Sequence, residues 1–189
     1  MDDDLVATVI SECRDDMRKA VTRTQSEFGS VRTGRASSAL VERLRVEYYG
    51  SDVPLQQIAS MSVPEARLLI VSPYDKTSLG AIEKAIQNSD LGINPSNDGA
   101  VIRLSFPQLT EERRKEMVKL VKAKAEDGRI GVRNARRSAK RDLEAFEKDG
   151  DLSSDELKRA EEDLEKVTKE FVSEIDRLVA QKEQELLEV

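Results

Sequence analysis

Histidine is absent from this 189-residue chain. Its absence removes imidazole acid–base catalysis, Ser-His triads and imidazole metal sites together, and weighs heavily against an enzyme. Tryptophan is missing too, and aromatics make up only 4% while charged residues make up 36%. Such a balance favours long amphipathic helices over a dense sandwich or barrel. The single cysteine, Cys13, can form no internal disulfide and sits in a helical apolar series, so it reads as a buried thiol in a reducing compartment. No apolar run approaches the ~18–20 residues of a membrane span, and the start, Met1-Asp-Asp-Asp4, is acidic where a signal or transit peptide would be basic. The expectation is a soluble, cytoplasmic protein. Gly29, Gly34 and Gly50 lack the spacing and the Lys-Ser/Thr ending of a phosphate loop, so no nucleotide site, metal or cofactor is expected.

The net charge of −6 conceals a division. Residues 111–141 carry 12 basic and 5 acidic side chains, a balance of +7, whereas 142–189 carry 7 basic and 17 acidic, a balance of −10. A polyanionic partner is therefore not excluded by the acidic total; its binding would be confined to a patch, with repulsion elsewhere orienting the encounter.

Hydrophobic spacing supplies the architecture. From Leu5 to Phe28, Val6, Val9, Cys13, Met17, Ala20 and Phe28 keep helical spacing, with Thr24 filling the remaining slot. Gly34 and its small polar neighbours then break the pattern. Leu44, Val46 and Tyr48 alternate with charged residues ahead of Gly50-Ser-Asp52, as in a half-buried strand meeting a turn; 67–72 and 100–106 are two further strand candidates. Between those two, Thr77 or Ser78 caps a short helix, and Asn94-Pro95 and Asn97-Asp-Gly99 supply turn chemistry. Alternation puts Tyr48 inside and Tyr49 outside, so the pair makes no shared stacking face. After Pro107, Thr110-Glu-Glu112 opens a helix running to about Lys148. Asp149-Gly-Asp151 turns the chain, and Ser153 or Ser154 starts a last helix with the seam Leu157, Ala160, Leu164, Val167, Phe171, Ile175, Leu178 and Leu186. Three long helices with uncovered apolar faces satisfy one another as a bundle. The expected fold is α+β: residues 1–33 and 108–189 form an elongated three-helix bundle, and 34–107 form a small inserted α/β domain held by two chain crossings. Thr33, Gly34, Ser105, Phe106 and Pro107 make a hinge pair at those crossings.

The chemistry is concentrated on the long helix after Thr110. Gly128, Val132, Ala135, Ala139 and Leu143 form its apolar seam, and Arg129, Arg133, Arg136 and Lys140 form a basic stripe alongside. A charged helix face is ordinarily just solvated, but such a face carries acids four residues before its bases, and here those positions hold Ala125, Arg129, Val132 and Arg136. Only Glu126 and Glu144, at the stripe's ends, lie within reach on the same helix, so Arg133 and Arg136 are expected to be the least neutralised. Guanidinium forks suit planar, bidentate phosphate recognition, and the stripe reads as a nucleic-acid surface. The pair Asp127-Gly128 and Gly131 are poor helix formers, serving close packing or a local bend. Arg32 and Arg35 beside Gly34 are either turn residues paired with acids or phosphate contacts. The cluster Glu161-Glu-Asp163 points in several directions around a helix and reads as solvated rather than metal-binding.

Val31-Arg-Thr-Gly-Arg-Ala36, Val46-Glu-Tyr-Tyr-Gly50, Pro54-Leu with Gln57-Ile-Ala-Ser60, Glu83-Lys-Ala-Ile86, Ser89-Asp-Leu-Gly-Ile-Asn-Pro95, Leu109-Thr-Glu-Glu-Arg-Arg-Lys115 and Val132-Arg-Asn-Ala-Arg-Arg137 occur in an order and spacing that resembles the ribosome recycling factor family along nearly the whole chain. The resemblance implies an L-shaped, two-domain protein, a monomer that binds the large ribosomal subunit and its rRNA after termination. With elongation factor G, which binds the GTP, it splits the ribosome. By position Arg32 and Arg35 match the family's linker arginines, and Arg133 and Arg136 those of its long-helix RNA surface; Arg129 and Lys140 are added from helix geometry. Two other classes compete: a coiled-coil adaptor acting through the acidic last helix, which would form a stable homo-oligomer without RNA dependence, and, more distantly, an enzyme.

Overall fold

A computed structural model of the chain describes residues 2–187. Its elements in chain order are α1 (Asp2–Gly29), β1 (Arg45–Tyr48), β2 (Ser51–Pro54), the single turn α2 (Leu55–Ile58), β3 (Ala59–Glu65), β4 (Leu68–Pro73), α3 (Leu79–Gln87), β5 (Pro95–Asn97), β6 (Ile102–Ser105), α4 (Glu111–Asp149) and α5 (Ser154–Leu187). By their contacts the described residues divide into two units, one of residues 2–28 with Val118–Gln184, the other of Gly29–Met117 with residues 185–187.

The first unit is all helix. Val9, Cys13, Met17, Val21, Thr24 and Phe28 of α1 are buried, as are Val121, Ala125, Gly128, Val132, Ala139 and Leu143 of α4 and Ala160, Leu164, Val167, Thr168, Phe171 and Ile175 of α5. Val21 rather than Ala20 completes the α1 seam, because the 17–21–24–28 spacing alternates fours and threes about one face. Ala20 lies at the edge, against α4. Burial raises the Cys13 thiol above its ordinary pKa, with Asp16 adding to the effect, and the sulfur is inert packing. The two glycines of α4 serve close packing: a Cβ on Gly128 would lie 2.2 Å from Thr24 Oγ1 and 3.2 Å from Ile175 Cδ1, and one on Gly131 would lie 3.2 Å from Ala20 Cβ. With 39 residues at ~1.5 Å each, α4 is about 58 Å long.

Helix ends are closed by local chemistry. Gly150, at φ 88°, ends α4, with its N–H on the Glu147 carbonyl and the Asp151 N–H on the Phe146 carbonyl. A capping box opens α5: Ser153 N and Oγ donate to Glu156 Oε2 at 2.8 and 2.6 Å, and Glu156 N donates back to Ser153 Oγ. The same hydrogen bonds hold the Glu156 carboxyl below its ordinary pKa.

The second unit holds two antiparallel sheets, the β1–β2 hairpin and a four-stranded sheet in the order β3-β4-β6-β5. Leu69 and Val71 of β4 pair with Leu104 and Ile102 of β6, and all four join Val46, Leu55, Ile82 and Ile86 in one core. The two sequence-predicted strands at 67–72 and 100–106 are thus neighbours, the second starting late because Asp98 Oδ1 accepts the N–H groups of Ala100 and Val101 in a turn. Of the two turn signals, Asn97-Asp-Gly99 does turn, with Gly99 N donating to Asn97 Oδ1, while Pro95 of the Asn94-Pro95 pair opens the short strand β5. Helix α3 is preceded by a turn capped by Asp75, whose Oδ1 accepts from Thr77 N, while Ser78 donates to the Asp75 carbonyl. Tyr48 packs against the core and Tyr49 is exposed, as alternation expects, but Tyr49 leaves the strand at φ 48°, so its ring meets that of Tyr48 edge-on at 4.6 Å, and its hydroxyl donates to Asp75 Oδ2.

Candidate nucleic-acid interface

Helical geometry delivers the basic stripe as predicted, on one flank of α4 beside the buried seam. What it meets there is α5. Arg129 Nε and Nη2 bond Asp176 Oδ1 at 3.0 and 2.5 Å while Nη1 reaches Glu126, Arg136 Nη1 bonds Glu165 Oε2 at 3.0 Å, and Lys140 Nζ sits 2.9 Å from Glu161 Oε1 and 3.7 Å from Glu144. As the α4 numbers rise, those on α5 fall, which is the register of antiparallel neighbours. Arg133 is the member with no α5 partner among the described residues: its Nη1 bonds Glu126 Oε1 at 2.9 Å.

These contacts correct the expectation that Arg133 is among the least neutralised along its own helix, and they give Arg136, which has no acid partner on α4 among the described residues, one from α5. A three-or-four-residue rule covers one turn of one helix, whereas Glu126 reaches Arg133 across two turns, about 10.5 Å of rise, and Glu165 arrives from another helix altogether. The pairs differ in hold. Arg129 keeps only 22% of its side chain exposed, between two carboxylates; Arg133, Arg136 and Lys140 keep 41%, 36% and 49%. Hydrogen bonding to Asp176 raises Arg129 further above its ordinary pKa, the Glu161 contact raises Lys140, and Arg133 and then Arg129 hold Glu126 below the usual carboxylate value. Arg133, Arg136 and Lys140 present N–H donors to solvent.

Two cations of the adjoining face complete the patch. Arg137 is exposed and bonds only the amide oxygen of Asn134 at 3.3 Å, and Arg141 is exposed with no ion-pair partner among the described residues. With Asn134, Lys140 and Glu144 they line an open depression of about 510 Å³. The sequence held the signal for both, since the stretch 128–141 is free of acids; a row drawn at one angle around the helix passed them by.

Arg32 and Arg35 belong to the other unit. Arg32 Nη2 donates to the Asp90 carbonyl, and Arg35 N to Thr33 Oγ1. Of the residues read as a hinge, Thr33 and Phe106 are buried, Gly34 takes a left-handed φ of 81°, Ser105 ends β6 and Pro107 is exposed; the Phe106 N–H donates to the Arg67 carbonyl.

Glu161 and Asp163 are engaged by Lys140 and Lys166, and among the described residues no group of three or more His, Cys, Asp or Glu side chains could hold a metal ion. Among the same residues no helix is long and apolar enough to cross a membrane.

A family model described as ribosome recycling factor matches residues 24–187. The chain is 53% identical over 181 residues to the ribosome-recycling factor of Bacillus licheniformis, covering 96% of this chain and 98% of that one. It is 51% identical over 185 residues to that of Rhodococcus jostii, covering 98% and 100%. Among solved structures it is similar to a solution structure of ribosome recycling factor, with TM-score 0.77, 43% identity and coverage of 97% and 98%. It is also similar, with TM-score 0.70, 46% identity and coverage of 96% and 98%, to a structure of the Thermus thermophilus factor bound, with Escherichia coli elongation factor G, to the E. coli post-termination complex.

Proposed function

Because the chain belongs to the ribosome recycling factor family, we propose that it binds the large ribosomal subunit after termination and, with elongation factor G and GTP, separates the subunits. The observation that carries this reading is the near full-length family match, which spans both units. The protein performs no covalent chemistry: nucleotide hydrolysis belongs to elongation factor G, and the chain supplies a rigid body to dock and a lobe to be moved. It acts as a monomer in the cytoplasm, where its ribosomes are.

Docking falls to the cationic patch of α4. Arg133, Arg136 and Lys140 offer partly exposed donors, Arg137 and Arg141 offer cations without an ion-pair partner among the described residues, and Arg129 fixes α4 to α5. Exposed ion pairs are weak, so rRNA phosphates in fixed array can displace their carboxylates. Arg32 and Arg35 add contacts from the linker. The α/β lobe, 34–107, pivots at Thr33–Gly34 and Ser105–Pro107. Subunit separation followed by light scattering, with post-termination ribosomes, elongation factor G and GTP, tests the function: the chain produces a fall in scattering that depends on all components. No fall, or a stable homo-oligomer that ignores ribosomes, returns the coiled-coil adaptor to first place.

A further inference from the structure

Resting on the reading of α4 as the phosphate-binding face, we infer that Glu161, Glu165 and Asp176 of α5 are built-in competitors for rRNA phosphate, which lower the affinity of the factor and hasten its release. The three share one face of α5: 161 and 165 are one turn apart, and 176 follows three turns later. Each is aimed at a different member of the α4 row, Lys140, Arg136 and Arg129 in turn, at 2.9, 3.0 and 2.5 Å. Asp176 also ties Arg129 across to α5, but the more exposed pairs of Glu161 and Glu165 add little to a bundle that already buries Val132 and Leu143 of α4 and Leu164 and Ile175 of α5. Glu165 and Asp176 are themselves about half exposed, at 47% and 54% of the side chain, so they are in contact with the same solvent layer a phosphate would enter.

A carboxylate and a phosphate oxygen are alternative acceptors for the same guanidinium N–H. Arg136 makes one contact to Glu165, so an incoming phosphate must either displace that carboxylate or bind beside its negative charge. Both lower the net gain from binding. Because three acids guard three cations, a lone phosphate gains little, whereas a folded RNA presenting several phosphates at once displaces them together. Selection for multivalent, rigid phosphate arrays and easy departure follow from one arrangement, and a factor that must leave the subunit after each cycle is served by both.

Glu165→Gln tests this, since the amide keeps the shape and loses the charge; it also frees Lys169, 3.8 Å away, from the same carboxylate. Glu162→Gln is the control, removing one negative charge from α5 at a residue that makes no ion pair with the α4 row among the described residues. Affinity and dissociation rate are measured with isolated large ribosomal subunits. Glu165→Gln is expected to tighten binding about two- to fivefold, mainly by slower release, and Glu162→Gln by a smaller factor. In an Arg136→Ala background, Glu165→Gln should gain no more than the control does. Unchanged or weaker binding by Glu165→Gln, or a gain matched by Glu162→Gln, overturns the competitor role while Arg136→Ala still weakens binding. If Arg136→Ala itself binds like wild type, the phosphate-binding face and the competitor role fall together.

Discussion

Arg129 and Arg137 stand two turns apart on one helix and are used differently. Arg129 lies between Asp176 and Glu126 with little of its side chain exposed, whereas Arg137 touches only an amide. Arg129→Ala should therefore lower the melting temperature by a few degrees, and Arg137→Ala should leave melting unchanged while weakening large-subunit binding by roughly threefold or more; thermal melts and pelleting on both variants check the contrast. Sequence alone placed the four stripe cations on α4 but not their partners, because the partner of Arg136 lies 29 residues away on another helix. At the start of α5 the sign of a pH effect is fixed. The Glu156 carboxyl is held below its ordinary value of 4.5 by accepting from Ser153. Its stabilising contribution is then complete above that ordinary value and is lost as pH falls through the lowered one. Wild type should exceed Ser153→Ala in stability at neutral pH by ~1 kcal/mol, and denaturant titrations should show the gap narrowing on acidification below 4.5.

The elements that sequence periodicity identified are those with one buried face. Helices α1, α4 and α5 and strands β1 and β6 alternate apolar and polar residues with the period their geometry requires, and β4, an inner strand, is legible as the apolar run Leu68-Leu-Ile-Val71. Strands β3 and β5 show neither pattern. Both are edges, each paired on one side only; β3 is mostly exposed and contains Pro64, and β5 is Pro-Ser-Asn, so neither carries an apolar alternation to read. The glycines of α4 looked like weak points of a helix and are points of close approach. Gly128→Ala gains helix propensity of ~1 kcal/mol, but its methyl would overlap Thr24 Oγ1 at 2.2 Å. A net loss of about 1–3 kcal/mol is expected, partly restored by Thr24→Ala, which removes the overlapping oxygen; denaturant unfolding of the single and double variants measures both. Gly131→Ala, with 3.2 Å to a single methyl, should be far milder.

For the whole molecule, charge division and domain division cooperate. The stretch 111–141 carries +7 and 142–189 carries −10, so attraction for a polyanion is concentrated along α4 and repulsion along α5. Residues 34–107, proposed above as the moving lobe, are nearly neutral, with 7 basic and 8 acidic residues, a balance that suits a part that is pushed rather than one that grips. Fixing that lobe to the bundle by an engineered disulfide should leave large-subunit binding intact and abolish splitting; normal splitting by the oxidised protein would dispose of the pivot. The central claim, that α4 grips rRNA phosphates, is tested most directly by the salt dependence of large-subunit affinity for wild type and for Arg133→Ala/Arg136→Ala. The account predicts a steep wild-type line in log affinity against log salt, with a slope of a few units, and a variant line that is weaker and shallower by roughly one to two units. Coincident lines for a variant of unchanged helix content would contradict it.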